Sequence, residues 1–340
     1  MFGPVSYAAS QAAVRARRSR LITREGWVRL LHAPGYGDLA PILQGTAYAD
    51  CIKSEPEQSL RALTASLAQS ARVVARWLPE GASDAVTWYL RRFEVENLKA
   101  IIRMLHHGFS KEHAEALLWP IESPELFWPQ LLEAGSMAAL VDRLSHTPYG
   151  RPLANAWERY QQENLPFFLE IALDLYYFQQ LVSRIEELRG KDRQEAERFL
   201  GRWIAVQNLL GAFRYRIYSR ISPEEIVNYS LHRAFEVSLA TVRRIALGAR
   251  VAVEARRLGF DLPSDIPEPE ALTQLEKLAA RALYRQAESA FAKPLFHLGA
   301  ALAYLALLES EIMDLTVVME GKRTGMAAAE LEPYLLREVL

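Results

Sequence analysis

The groups in this sequence that can do chemistry are carboxylates, imidazoles and one thiol, and their spacing decides whether they can act together. Glu94 with Glu96, and Glu309 with Glu311, are paired carboxylates of the kind that serve as general acid and base. Two positions apart on a helix, such residues face different ways and cannot converge on one substrate. His106, His107 and His113 suggest a metal site. Adjacent helical residues point about 100° apart, and no cysteine joins these histidines, so no metal is expected. Cys51 is the sole cysteine, so no intrachain disulfide can form, which fits a reducing compartment. No His or Asn motif frames it as a nucleophile, and it reads as a small polar-apolar filler. Gly321-Lys322-Arg323-Thr324 ends like a phosphate loop but lacks the upstream glycine spacing, so nucleotide binding is not expected. No catalytic residue, cofactor or metal is assigned.

The elements that carry these residues are predicted to be helical nearly throughout. The 340 residues balance 40 basic against 41 acidic side chains, a formal net charge of −1. That balance gives no electrostatic footprint for nucleic acid. Half the residues are hydrophobic, enough for a sizeable core. The best membrane candidate, Leu295–Leu308, is shorter than the roughly 20 residues a span needs and runs into Glu309 and Glu311. It reads as a buried helix. Arg15, Arg17, Arg18 and Arg20, with no acidic residue before Glu25, loosely resemble a transit peptide. Val14, Arg17 and Leu21 running on to Trp27 and Leu31 read better as ordinary helix.

Helices are expected over 4–22, with Pro4 near the start, then 24–32 and 37–44. A long one starts at Pro56, with Leu60, Leu63, Leu67 and Val74 on its apolar face, and stops at Pro79-Glu80-Gly81. Ser83 or Asp84 caps the next, which runs to Gly108. Ser110, Ser123-Pro124-Glu125 and Ser222-Pro223-Glu224-Glu225 open others by capping logic. Further helices are predicted over 192–219, 270–290, 294–320 and 327–339, and no strand is expected.

Two stretches repeat. A shift of 111 positions lays Arg91–Gly108 on Arg202–Tyr218, matching Arg91 to Arg202, Val95 to Val206, Asn97 to Asn208, Leu98 to Leu209 and Arg103 to Arg214. A shift of 101 lays Trp27 on Trp128, Leu43 on Leu144, Thr46 on Thr147 and Tyr48 on Tyr149. Asn97 and Asn208 stand in apolar stripes, where a buried amide must find partners. Each is expected to hydrogen-bond the backbone of a neighbouring helix. Glu311 to Leu315 stands roughly where Glu94 to Leu98 stands. The organisation expected is therefore three similar helical units, residues 56–163, residues 164–290, and a permuted third made from 1–55 and 291–340. The fold class expected is all-α, in a pseudo-threefold, funnel-like arrangement.

The residues also carry a resemblance. Arg91–Gly108, RRFEVENLKAIIRMLHHG, resembles the D-x-x-N-L-K-x-x-L-R helix of the C subunit (eukaryotic name d) of vacuolar and archaeal-type rotary ATPases. Leu169–Leu181, LEIALDLYYFQQL, is similar to that family's L-E-x-x-L-D-x-x-Y segment. Ala303–Met326 resembles its Y-L-x-x-K-E-x-E-I-x-N-L ending, and Tyr7 to Tyr48 its opening and L-x-x-T-x-Y close. Leu308 replaces the Lys of the K-E pair, Gln207 stands where the family has Asp, and 231–290 matches poorly.

The resemblance implies a non-catalytic central-rotor component on the cytoplasmic side of a membrane. Such a component caps the proteolipid ring and receives the central stalk. It couples ATP hydrolysis or synthesis to ion transport, with a proton as the expected ion. Cations at helix C-termini, where the helix dipole favours them, supply candidate partner contacts: Arg103, Arg214, Arg216, Lys322 and Arg323. The plainer reading makes these solvated helix ends. The rival reading is a soluble helical enzyme or ligand-binding protein with a pocket in the aromatic region 157–178. That region offers few placed polar groups beyond Asp174 and tyrosine hydroxyls, and pockets need several.

Overall fold

A computed structural model describes residues 7–219, 221–291 and 296–339. In chain order the helices are α1 (Ala8–Arg18), α2 (Arg24–His32), α3 (Leu39–Ile42), α4 (Pro56–Arg76), α5 (Glu80–Leu90), α6 (Arg92–His107), α7 (Lys111–Leu117), α8 (Trp128–Leu132), α9 (Met137–Leu144), α10 (Gly150–Glu163), α11 (Phe167–Glu187), α12 (Gly190–Ala196), α13 (Arg202–Tyr218), α14 (Pro223–Asn228), α15 (Leu239–Ala246), α16 (Val251–Arg257), α17 (Glu268–Ala290), α18 (Gly299–Arg323) and α19 (Ala328–Leu331). The fold is all-α. Against the expectation of no strand, a minimal antiparallel pair forms, β1 (Arg233–Ala234) with β2 (Val237–Ser238). Phe235 holds its turn at φ +50. The ring lies against Gly201, where a Cβ would come within 2.9 Å of it, so tertiary packing supplies what the turn sequence lacks.

The described residues divide into two compact units, one within Met1–Val86 and Ile185–Leu340, the other Thr87–Arg184. In the first, α18 packs against α1, α4, α12 and α17. Every residue from Gly299 to Leu308 is buried, so this helix is enclosed all round rather than amphipathic. Its predicted start at 294–295, like Pro4, lies outside the described residues. No helix among the described residues is long and apolar enough to cross a membrane. In the second unit α6 packs on α7 and α9, and α9 on α10. The approach is close at Gly150, where a Cβ would lie 2.5 Å from the Ser145 carbonyl oxygen.

Several predicted boundaries move, each for a local reason. The first helix stops at Arg18 rather than 22, and Ile22 then turns its N–H to the Glu311 carboxylate at 3.0 Å. The helix expected from Ser83 begins at Glu80, directly after Pro79, and breaks at Arg91. Ser123 opens no helix; its hydroxyl accepts the Glu125 N–H at 3.3 Å, while Arg91 holds the Glu125 carboxylate at 2.9 Å. Leu60 lies on the exposed side of α4. Residues 192–219 are helical with a wide π turn at Glu197–Gly201. The helix expected over 327–339 covers only α19 and a short 3-10 turn, Glu332–Tyr334. The chain beyond is drawn out by bonds to α18. Ser110 and Ser222 do cap α7 and α14, the second with a reciprocal bond from Glu225.

Candidate functional site

The conspicuous polar groups in this apolar body are amides and carboxylates on α6, α13 and α18. Asn97 is 0% exposed. Its Nδ2 donates to the Trp119 carbonyl at 3.0 Å, and its Oδ1 accepts the Trp119 N–H at 2.7 Å. Asn208 does the same to Leu231, at 3.1 and 2.8 Å. The sequence separations are 22 and 23, and each captured residue follows the short helix after the long one. One amide thus satisfies both polar groups of a residue that would otherwise be buried unpaired. The result is a two-pronged clamp closing α6 onto α7 and α13 onto α14.

A related contact stands on α18. Asp314 accepts the Leu336 N–H at 2.7 Å, again across 22 positions. A carboxylate has no donor for a carbonyl, and its second oxygen instead takes the Arg337 Nε–H at 2.6 Å. Three positions before Asn97, Glu94 accepts the Tyr149 hydroxyl at 2.6 Å. Three before Asp314, Glu311 has Tyr48 beside it, and the nearby carboxylate raises the tyrosine's pKa further above its burial-raised value. The two tyrosines occupy like turns: Thr147 Oγ1 donates to Leu144 at 2.7 Å and Thr46 Oγ1 to Leu43 at 2.6 Å, and each threonine oxygen accepts the tyrosine N–H. At a shift of 111, Ala205 stands for Glu94 and Phe260 for Tyr149, so carboxylate and hydroxyl are lost together.

Arg337 is the residue that sequence reasoning missed. It is 8% exposed, bound to Asp314, 3.5 Å from Glu311, and its guanidinium lies 4.0 Å over the Trp27 ring. A signal existed: two acids three apart in the apolar stretch of α18 demand a buried cation. The charges do not balance, since one guanidinium faces two carboxylates. Glu311 Oε2, Tyr48 Oη, Trp27 Nε1 and Arg337 Nη2 all lack a hydrogen bond of ordinary geometry. Burial pushes the Glu311 pKa up to about 7, with Arg337 the main opposing influence.

A raised carboxylate pKa means that the folded chain holds a proton the unfolded chain has lost. The contribution of Glu311 to stability is therefore complete below its ordinary value of 4.5 and falls as pH rises to about 7. Glu311→Gln is expected to flatten that fall in a urea titration across pH 4.5 to 7.5. An unchanged slope contradicts the assignment.

The predicted interface cations are all engaged within the chain. Arg103 binds Glu170 of α11 at 2.5 Å, next to a Lys99 pair with Asp174 at 3.0 Å and Glu96 at 2.7 Å. Arg214 reaches Glu276 of α17, and Arg216 reaches Glu268 and the Ala249 carbonyl. Lys322 is buried, which lowers its pKa, and its Nζ lies 3.4 Å from the Met326 carbonyl. Arg323 is exposed and pairs with Glu320 one turn back at 2.9 Å. Among the described residues no group of His, Cys, Asp or Glu is placed to hold a metal. Cys51 is buried, which raises its thiol pKa. In the aromatic region Phe168 and Tyr177 are core residues. Trp157 stacks 5.4 Å from Tyr160 and edges a cleft of about 430 Å³ with Arg151 and Asp142.

Comparison with known proteins gives concordant matches. Residues 10–334 match the model of the ATP synthase (C/AC39) subunit family. A protein of Haloferax volcanii, named as the C subunit of an A-type ATP synthase, is 28% identical over 96% of each chain. Its namesake in Halobacterium salinarum is 26% identical over 98% of each. That of Methanocaldococcus jannaschii is 24% identical over 97% of this chain and 86% of its own.

Proposed function

This chain belongs to the ATP synthase (C/AC39) subunit family, and from that membership we propose that it is the C-type component of the central rotor in an A/V-type ATPase. It is a non-catalytic part of a membrane-associated complex, and its work is done with other subunits of that complex. It caps the proteolipid ring on the cytoplasmic face, socketing the central stalk and passing torque so that ATP turnover is coupled to ion transport, the ion being a proton. The observation that carries the reading is the match across nearly the whole chain, residues 10–334.

The geometry supports a mechanical role. A torque coupler must be stiff, and dense helical interiors are poorly compressible. The polar clamps add directional contacts to that packing and fix each short helix against its long one. The recurrence of the clamp at Asn97 and Asn208, and of a related contact at Asp314, supports three related units, 56–163, 164–290 and a permuted unit of 1–55 with 291–340; a pseudo-threefold funnel is the arrangement proposed for them. Arg103, Arg214, Arg216, Lys322 and Arg323 are then the contacts to test at the stalk and ring. Their pairing within the chain gives them a second, structural role.

The test is an affinity pull-down of the tagged chain from gently solubilised native membranes, with mass identification of what comes with it. Recovery of ATPase stalk subunits and a proteolipid is the expected result. Recovery of the chain alone, and its absence from the membrane fraction, contradicts the reading.

A further inference from the structure

The first unit contains a cleft of about 850 Å³, the size of a small-molecule site. It lies between the turn joining α1 to α2, the end of α17 and the C-terminal segment. Five arginines line it, Arg15, Arg18, Arg24, Arg285 and Arg337, against three glutamates. Each glutamate is engaged through one oxygen, and Glu311 keeps its second, Oε2, without a hydrogen bond. Glu288 accepts the Tyr284 hydroxyl at 2.5 Å, Glu338 pairs with Arg285 at 2.9 Å, and Glu311 accepts the Ile22 N–H at 3.0 Å.

The arginines are not matched in the same way. Among the described residues Arg15 and Arg24 have no ion-pair partner, and Arg18 has only the face of Phe291, at 4.2 Å. At the floor, Arg337 is nine-tenths buried, and its Nη2 has no acceptor. A buried guanidinium N–H needs one. The N-terminus of α2, capped by Thr23, opens on the same cleft and adds its positive end. A buried forked donor below three unmatched cations is a setting for an oxyanion.

We propose that this cleft binds a phosphate group, held by Arg337 at the floor and by Arg15, Arg18 and Arg24 at the rim. The ring faces of Trp27 and Phe291 are already covered by Arg337 and Arg18, at 4.0 and 4.2 Å. Recognition is therefore assigned to the phosphate. A free phosphorylated small molecule and a lipid whose headgroup ends in a phosphomonoester share this chemistry, which the phosphodiester of phosphatidylserine lacks. The site stands on its own residues and does not depend on the rotor reading.

The test uses the full chain at low salt in two arms. Isothermal titration with inorganic pyrophosphate probes the free source. Flotation with phosphatidylcholine vesicles containing phosphatidic acid, against vesicles of equal charge containing phosphatidylserine, probes the lipid source. Arg15 and Arg24 are exposed, so the Arg15→Ser/Arg24→Ser variant keeps its fold, checked by its circular dichroism. Binding in either arm that weakens about tenfold or more in that variant is the expected result, and the arm that responds identifies the source. No binding in either arm, binding unchanged in the variant, or equal capture by phosphatidylserine overturns the proposal.

Discussion

Arg337→Ala is expected to lower the free energy of unfolding by about 3–5 kcal/mol, the cost of leaving buried charge unpaired. The reason is arithmetic of charge. Asp314 and Glu311 are both buried in α18, and Arg337 is the cation that reaches both, at 2.6 and 3.5 Å. Its removal strands two carboxylates and uncovers the Trp27 ring it lies on at 4.0 Å. The stranded acids then take up protons, so the loss should grow as pH rises. The triple variant Arg337→Met/Asp314→Asn/Glu311→Gln should be less destabilised than the single one, because it leaves no buried charge unpaired. Urea denaturation checks both. A single-variant loss below about 1 kcal/mol, the range of an exposed pair, contradicts a buried triad.

Asn97→Leu is expected to cost about 2–4 kcal/mol, and Asn208→Leu the same, from the loss of two buried hydrogen bonds. Leucine fits the volume and the apolar surroundings, so packing alone predicts little change. What it removes is both prongs of the clamp, leaving the N–H and C=O of Trp119, or of Leu231, without partners. Each stranded group costs about 1–3 kcal/mol, partly relieved where water reaches it. Asn97→Asp is the discriminating control. Its ionised carboxylate still accepts the Trp119 N–H but buries a charge and faces the carbonyl oxygen, so at neutral pH a loss at least as large is expected, easing as pH falls and the carboxyl gains a proton it can donate. Stability equal to wild type in the leucine variants would show that the clamp is incidental to the fold.

The helical class and the two asparagine contacts were legible because both depend on local pattern. Apolar residues recur with helical period along α4 and α6, and an asparagine set into such a stripe, as Asn97 is, is conspicuous. That amide also dictates its own contact, since burial leaves it no alternative to a backbone partner. The third clamp was half legible. Glu311 and Asp314 fell in register with Glu94 and Asn97, but Asp314 takes its partners from Leu336 and Arg337 in a segment that reads as helix. Propensity gave no hint that this segment is drawn out, because the force acting on it comes from residues 22 and 23 positions away.

The same limit explains the early stop of α1, whose next residues turn to bring Ile22 to Glu311. It also explains the two-residue hairpin, set by Phe235 against Gly201. Of the cations expected at helix ends, Arg216, Lys322 and Arg323 stand in last turns, whereas Arg103 and Arg214 lie further back on α6 and α13. Their carboxylate partners Glu170, Glu276 and Glu268 lie on other helices, out of reach of any local signal.

The polar contacts also bear on function. A protein that only fills space can be held by apolar packing, which tolerates small slips. One that passes torque must keep each helix in register under load, and a two-pronged amide or an ion pair resists a slip that apolar contacts permit. Disabling a clamp should therefore loosen coupling at temperatures where the variant is still folded.

The most direct test of the coupling role is reconstitution of the native ATPase in sealed vesicles with and without this chain, following ATP hydrolysis and internal acidification together. With the chain, hydrolysis is expected to drive acidification. Without it, hydrolysis should continue while acidification is lost, and adding the purified chain back should restore it. Acidification at the same rate per ATP in its absence would contradict the account.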